Sequence, residues 1–231
     1  MFRFTIFFVR FALLTAVLAA LAISLAGSRS GDAGFPGANG KIIFQTTRHG
    51  GSGLEELYVM NADGTNQTRC TNNTASDNNA RWSPDGTKIA FTSNTDGDGE
   101  IYVINADCAT GLTQLSSNSV GDGTPNWSPD GAMIAFYSDR DGNAEIYKMN
   151  ADGSGQTRLT NTPENDYEPY WSPDGTKIAF YRFTGGNYDI YKMNPDGTGQ
   201  ASCLANTGSQ ELEPDWSPDG TKFVFRTDRD G

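Results

Sequence analysis

The chain has 231 residues, enough for one large all-β domain, and sets 28 acidic against 17 basic residues for a formal net charge of −11. A polyanion of this kind repels phosphate backbones and gains nothing at an anionic membrane surface, which excludes nucleic acid as a partner class. Hydrophobic residues make up only 36%, but 11% aromatic content and a regular spacing of motifs exclude a disordered chain.

The first ten residues carry Arg3 and Arg10 and no acid, and residues 11–26 are uncharged. Ser24 and Ala26 then occupy the small-residue positions of a cleavage site. This is the layout of a secretory signal peptide over residues 1–26, too short for a membrane span of roughly 20 residues. It predicts a periplasmic or secreted protein with no membrane span after cleavage. Ser28 stands where a lipid-attachment signal needs Cys. Residues 27–40, rich in Gly and Ser, read as a flexible linker.

From residue 41 onward the chain repeats. "WSPDG" occurs four times, at Trp82, Trp127, Trp171 and Trp216, with separations of 45, 44 and 45 residues. Periods of this length signal propellers or solenoids. After each copy comes a short apolar run, "KIAF" from Lys88, "MIAF" from Met133, "KIAF" from Lys177 and "KFVF" from Lys222. In the first three copies an acid then leads an apolar–Tyr pair, at Glu100, Glu145 and Asp189, and a further segment carries Leu. These runs are rich in β-formers and too short for helices, and "SPDG", "NADGSG" and "SDRDGN" are turn signals between them. Each unit therefore reads as four short antiparallel strands. The "IAF" runs are apolar at consecutive positions, as strands buried on both faces require, and this favours a propeller in which each sheet packs between two others.

The string W-S-P-D-G-x-K-I-A-F followed by E-I-Y-x-M-N-A-D-G-S resembles the TolB-like, WD-like β-propeller repeats, over residues 41–231. Similar repeats occur in tricorn-type proteases and in the propellers of prolyl-oligopeptidase relatives. The resemblance implies a blade order with the P-x-W-S strand innermost, "IAF" second, "IY" third and the Leu-bearing strand outermost. On that order, residues 41–71 supply strands two to four, full blades follow at roughly 77–116, 122–160 and 166–205, and the end supplies strands one and two. The expectation is an all-β propeller of three full and two partial blades, a truncated larger ring with an exposed apolar strand edge. A departure from TolB itself is that a signal and a linker precede the repeats where that family carries an α/β domain.

Few chemical signals stand out. His49 is the only histidine, no G-x-S-x-G elbow accompanies it, and no zinc-type ligand spacing exists. Cys70, Cys108 and Cys203 cannot all pair within one chain; one disulfide is allowed, its partners left open, and Cys70 and Cys203 read as small buried apolar residues. Asn94, Asp96 and Asp98, and Asp139, Asp141 and Asn143, resemble the start of a calcium loop, but position twelve from Asn94 is Asn105 rather than Glu, and turn chemistry accounts for both. Asp77, Asp122, Asp166 and Glu211 each lie five residues before a repeat tryptophan. They are the candidate partner-binding rim around one mouth of the channel; the alternative is that each caps its own crossover turn. No catalytic residue, cofactor or metal is assigned. The expected function is a non-catalytic module binding other envelope or secreted proteins, as the resemblance to TolB implies. The alternatives are the substrate-gating propeller of a prolyl-oligopeptidase-like or tricorn-like hydrolase, or a carbohydrate-binding propeller using aromatics such as Tyr167 and Tyr170.

Overall fold

A computed structural model describes residues 40–49, 54–204 and 208–229. The readings made for residues 1–39 lie outside them. All described secondary structure is β. The first sheet holds β1 (Lys41–Thr46), β2 (Glu56–Asn61) and β3 (Thr68–Arg69). Three four-stranded sheets follow. They are β4 (Asp77–Trp82), β5 (Lys88–Ser93), β6 (Glu100–Asn105) and β7 (Thr113–Gln114); β8 (Asp122–Trp127), β9 (Met133–Ser138), β10 (Glu145–Asn150) and β11 (Thr157–Arg158); and β12 (Asp166–Trp171), β13 (Ile178–Thr184), β14 (Asn187–Met193) and β15 (Ala201–Ser202). The last sheet pairs β16 (Glu211–Trp216) with β17 (Phe223–Thr227). Every pairing is antiparallel between sequence neighbours, so these are meandering blades of the expected order.

The "SPDG" turns make the first corner of each blade. Gly86, Gly131, Gly175 and Gly220 each donate N–H to the carbonyl of the Ser three residues back. The same Ser hydroxyl donates to the Asp carboxylate, as Ser128 Oγ does to Asp130 at 2.6 Å, and accepts the N–H of the residue opening the next strand, Met133 at 2.9 Å. Each turn thus satisfies its own backbone, leaving the strands free to pack.

The core lies between sheets. Leu57, Val59 and Cys70 of the first sheet meet Ile89, Phe91, Tyr102 and Ile104 of the second. Ala90, Ile101 and Val103, from the other face of that second sheet, meet Trp127, Ile134, Phe136, Tyr147 and Met149 of the third. Ile146 and Leu159 then meet Ile178, Phe180 and Met193 of the fourth. Side chains alternate faces along a strand, so in "IAF" the Ile and Phe fill the gap toward the preceding blade and the small Ala is left for the following one. That division of labour explains why the run is uniformly apolar.

One sequence reading needs correction. Cys70 is not a free apolar residue: it is disulfide-bonded to Cys108, with Cα atoms 4.2 Å apart, tying the first sheet to the second. Cys203 is the free cysteine and is half-buried.

Candidate functional site

The inner strands β4, β8, β12 and β16 carry the same irregularity. Pairing with the second strand slips between Asn78 and Arg81, Gly123 and Asn126, Tyr167 and Tyr170, and Leu212 and Asp215. Within each slip one non-glycine residue takes a left-handed backbone: Asn79 (φ 54°), Thr124 (φ 50°), Glu168 (φ 48°) and Glu213 (φ 53°). These are β-bulges, which re-aim side chains at a cost in local strain. In three of the four the next residue is Pro125, Pro169 or Pro214, which has no N–H to lose from the ladder.

The bulges turn side chains toward a shared axis. Arg81 of the second sheet reaches past the third sheet to the fourth: its Nη2 donates to the Tyr170 hydroxyl at 3.2 Å, and its guanidinium carbon lies 5.5 Å from that ring centre. Tyr170 in turn donates to Glu168 Oε2 at 3.2 Å. Asn79, Arg81, Thr124, Pro125, Asn126, Glu168, Pro169 and Tyr170 together line a cleft of about 30 Å³, the room of a single water. Burial raises the Glu168 carboxyl above its usual range against the pull of its tyrosine bonds, and burial likewise pushes the Tyr170 hydroxyl up to about 12. The arrangement is a polar patch with one cation, one carboxylate and a phenol already joined across the axis. Of these axis residues the sequence points only to Tyr170, as an aromatic able to stack on a sugar; its hydroxyl here meets Arg81 and Glu168. The available signal was that they differ between repeats, Asn-Ala-Arg, Thr-Pro-Asn, Glu-Pro-Tyr and Glu-Pro-Asp, while the flanking acid and Trp persist.

The four acids of the expected rim sit at the opposite end of the same strands. Asp77, Asp122, Asp166 and Glu211 are all fully buried. Their partners belong to the crossover and the second strand. Asn73 Nδ2 donates to Asp77 at 2.7 Å, Asn118 Nδ2 and Arg140 Nη2 to Asp122 at 2.8 Å each, and Arg229 Nη2 to Glu211 at 2.5 Å. Arg182 grips Asp166 with two parallel bonds of 2.7 and 2.8 Å. Burial raises the carboxyls of Asp77 and Asp166. The backbone N–H groups of Asp77, Asp122 and Asp166 are also taken by the preceding blade, as Asp122 N is by Gly99 O at 2.7 Å. The carboxylates thus anchor the crossovers.

His49 Nδ1 lies 2.5 Å from the Tyr58 hydroxyl, and the two rings stack. Tyr167 stands edge-on to Tyr137 and beside Tyr181, half-buried in an aromatic run.

The sequence model described as the TolB beta propeller domain matches residues 20–111 and 106–231. No curated protein matches the chain. Among solved structures, a TolB candidate from Agrobacterium tumefaciens is 24% identical with a TM-score of 0.68, over 80% of this chain and 69% of that one. TolB from Acinetobacter baumannii is 24% identical with a TM-score of 0.71, over 80% and 46%. An oligogalacturonate lyase from Vibrio parahaemolyticus is 14% identical with a TM-score of 0.65, over 85% and 58%. The chain thus spans about half to two thirds of these relatives' length. At these identities the likeness is one of fold.

Proposed function

The chain belongs to the TolB β-propeller family, and from that premise we propose that it is an exported, non-catalytic module that binds another envelope or secreted protein through the axis-facing ends of its inner strands. One observation carries this reading: the scaffold of each blade is repeated closely, while the bulge triplets facing the axis vary, so that no two copies present the same three residues. Residues 79–81 bring an amide and a guanidinium, 124–126 a hydroxyl and an amide, 168–170 a carboxylate and a phenol. A surface that is rigidly held and chemically varied suits recognition, because little ordering entropy is spent on binding. The leader-like residues 1–26 and the linker of 27–40 fit export ahead of the repeats.

A photo-reactive amino acid placed at Asn126 tests the proposal in intact cells. Crosslinking is expected to yield one discrete protein adduct, and the purified chain is expected to begin after residue 26 by mass spectrometry. Arg81→Ala is expected to abolish the adduct while leaving the thermal melt unchanged. Adducts arising equally from a reporter at Thr113 on an outer strand, with none from Asn126, would place binding elsewhere.

A further inference from the structure

The corner between the second and third sheets differs from the next one along, and the differences share a direction. Internal repetition supplies the comparison. Thr95, Asp96, Asp98, Glu100 and Gln114 of the second sheet occupy the positions of Arg140, Asp141, Asn143, Glu145 and Arg158 of the third. In the third sheet Asp141 and Glu145 both meet a cation. Arg158 bonds Asp141 at 3.0 Å and Glu145 at 2.7 Å. Asn143 donates its amide to the carbonyls of Thr162 at 3.1 Å and Glu164 at 2.7 Å. In the second sheet both guanidinium positions are neutral, and Asn143 is replaced by an acid that has no proton to give those carbonyls. Two positive charges are absent, while the acids stay three in number, Asp96, Asp98 and Glu100 against Asp139, Asp141 and Glu145.

Two carboxylate oxygens near this corner are unmet. Oδ2 of Asp98 is buried without a hydrogen-bond partner. Asp122 is fully buried, its Oδ2 held by Asn118 and Arg140, and its Oδ1 has no partner either. Both lie around Glu100, itself fully buried, which accepts from the Ser116 hydroxyl and from Asn118 N at 2.6 Å. Burial, and then the charges of Asp122 and Asp96, raise the Glu100 carboxyl. Leaving a buried acceptor unmet is destabilising, and more so when it is charged. Two at one corner call for a cation.

We propose that Asp96, Asp98 and Glu100 bind a divalent cation of the calcium class, with the buried Asp122 joined to Glu100 through Asn118. The three residues offer carboxylate oxygens all within 4.8 Å of one another. Oxygens bound to one calcium at about 2.4 Å can stand at most about 4.8 Å apart. The donor set is all oxygen and carries three negative charges, which suits a hard cation and not zinc. Asp96 is solvent-exposed, so an ion has a route in, and Gln114 Nε2, now donating to it at 2.8 Å, can turn away. The ion then supplies the charge that Arg140 and Arg158 supply at the next corner.

Calorimetric titration of the chelator-treated protein with calcium chloride tests the site. The expected result is one equivalent bound and a higher melting temperature with calcium. Asp98→Asn, which installs the third sheet's own residue, is expected to fold and to weaken binding about tenfold or more. Asp96→Asn, at an exposed position, is expected to do the same, and Asp141→Asn at the neighbouring corner to leave binding intact. No calcium heat in the unaltered protein, or equal affinity in Asp98→Asn and Asp96→Asn, would overturn the proposal. So would loss of binding in Asp141→Asn alone.

Discussion

Asp166 on β12 and Glu213 on β16 both pair with arginine, yet the pairs are not alike. Asp166 is fully buried and Arg182 nearly so, with two parallel bonds, and Arg182 also lies over Phe180 and Tyr191. Glu213 meets Arg226 at 3.4 Å with both side chains more than half exposed. Removing one partner of a buried pair strands the other charge and costs about 3–5 kcal/mol. An exposed pair is worth about 0–1 kcal/mol. Urea denaturation of Asp166→Ala is therefore expected to show that larger loss, and Glu213→Ala a change within about 1 kcal/mol. Equal losses would mean that Asp166 is not a crossover anchor. The spacing of five residues before each tryptophan located these acids correctly along the chain. It could not report their depth, because an acid that closes a crossover and one that rims a channel recur at the same period. What decides between them is an arginine further along the chain, Arg182 within β13 or Arg140 two residues past the end of β9, and its contact with the acid is a tertiary fact.

Turns show the same distinction between what is local and what is not. The "SPDG" corners were legible because Pro, Ser, Asp and Gly satisfy one another within five residues. The "N-x-D-G" corner after the third strand of the first, third and fourth sheets has a second role that its sequence does not announce. Gly64 and Gly197 occupy the same place in the first and fourth sheets, with φ of +83° and +85°. A Cβ at Gly64 would meet open space, whereas one at Gly197 would stand 2.5 Å from the Leu159 carbonyl oxygen of the preceding sheet. The corner of one blade rests on the outer strand of the blade before it. Gly64→Ala is expected to cost about 1 kcal/mol, the left-handed backbone alone. Gly197→Ala is expected to cost clearly more, since a backbone oxygen must move as well. A paired comparison of chemical denaturation midpoints isolates the blade contact, and matching losses would show that the contact carries no energy.

Across the whole described molecule, that contact explains the disulfide. Cys70 stands where Leu115 and Leu159 stand in later sheets, each placed by a backbone bond to the third strand. Cys108 stands where Gly153 and Gly197 stand and keeps a left-handed backbone at φ 58° despite its side chain. At the other junctions glycine touches leucine; at this one a covalent bond spans the same two positions. The pairing could have been read from the repeat alignment, given the knowledge that these positions touch between blades. Cysteine spacing alone could not show it. The bridge closes a loop with a sequence separation of 38. On loop-entropy grounds its removal costs about 3–4 kcal/mol. In a repeat protein such a loss falls first on the junction it spans, so the first sheet is expected to loosen before the others. Hydrogen exchange under reducing conditions should show faster exchange in β1 and β2 while β9 and β13 stay protected. The double substitution Cys70→Leu with Cys108→Gly rebuilds the ordinary junction, and it is expected to recover part of that protection without the bond. Uniform loosening of every sheet on reduction would instead mean that the blades unfold as one body and that the junction is not an independent unit.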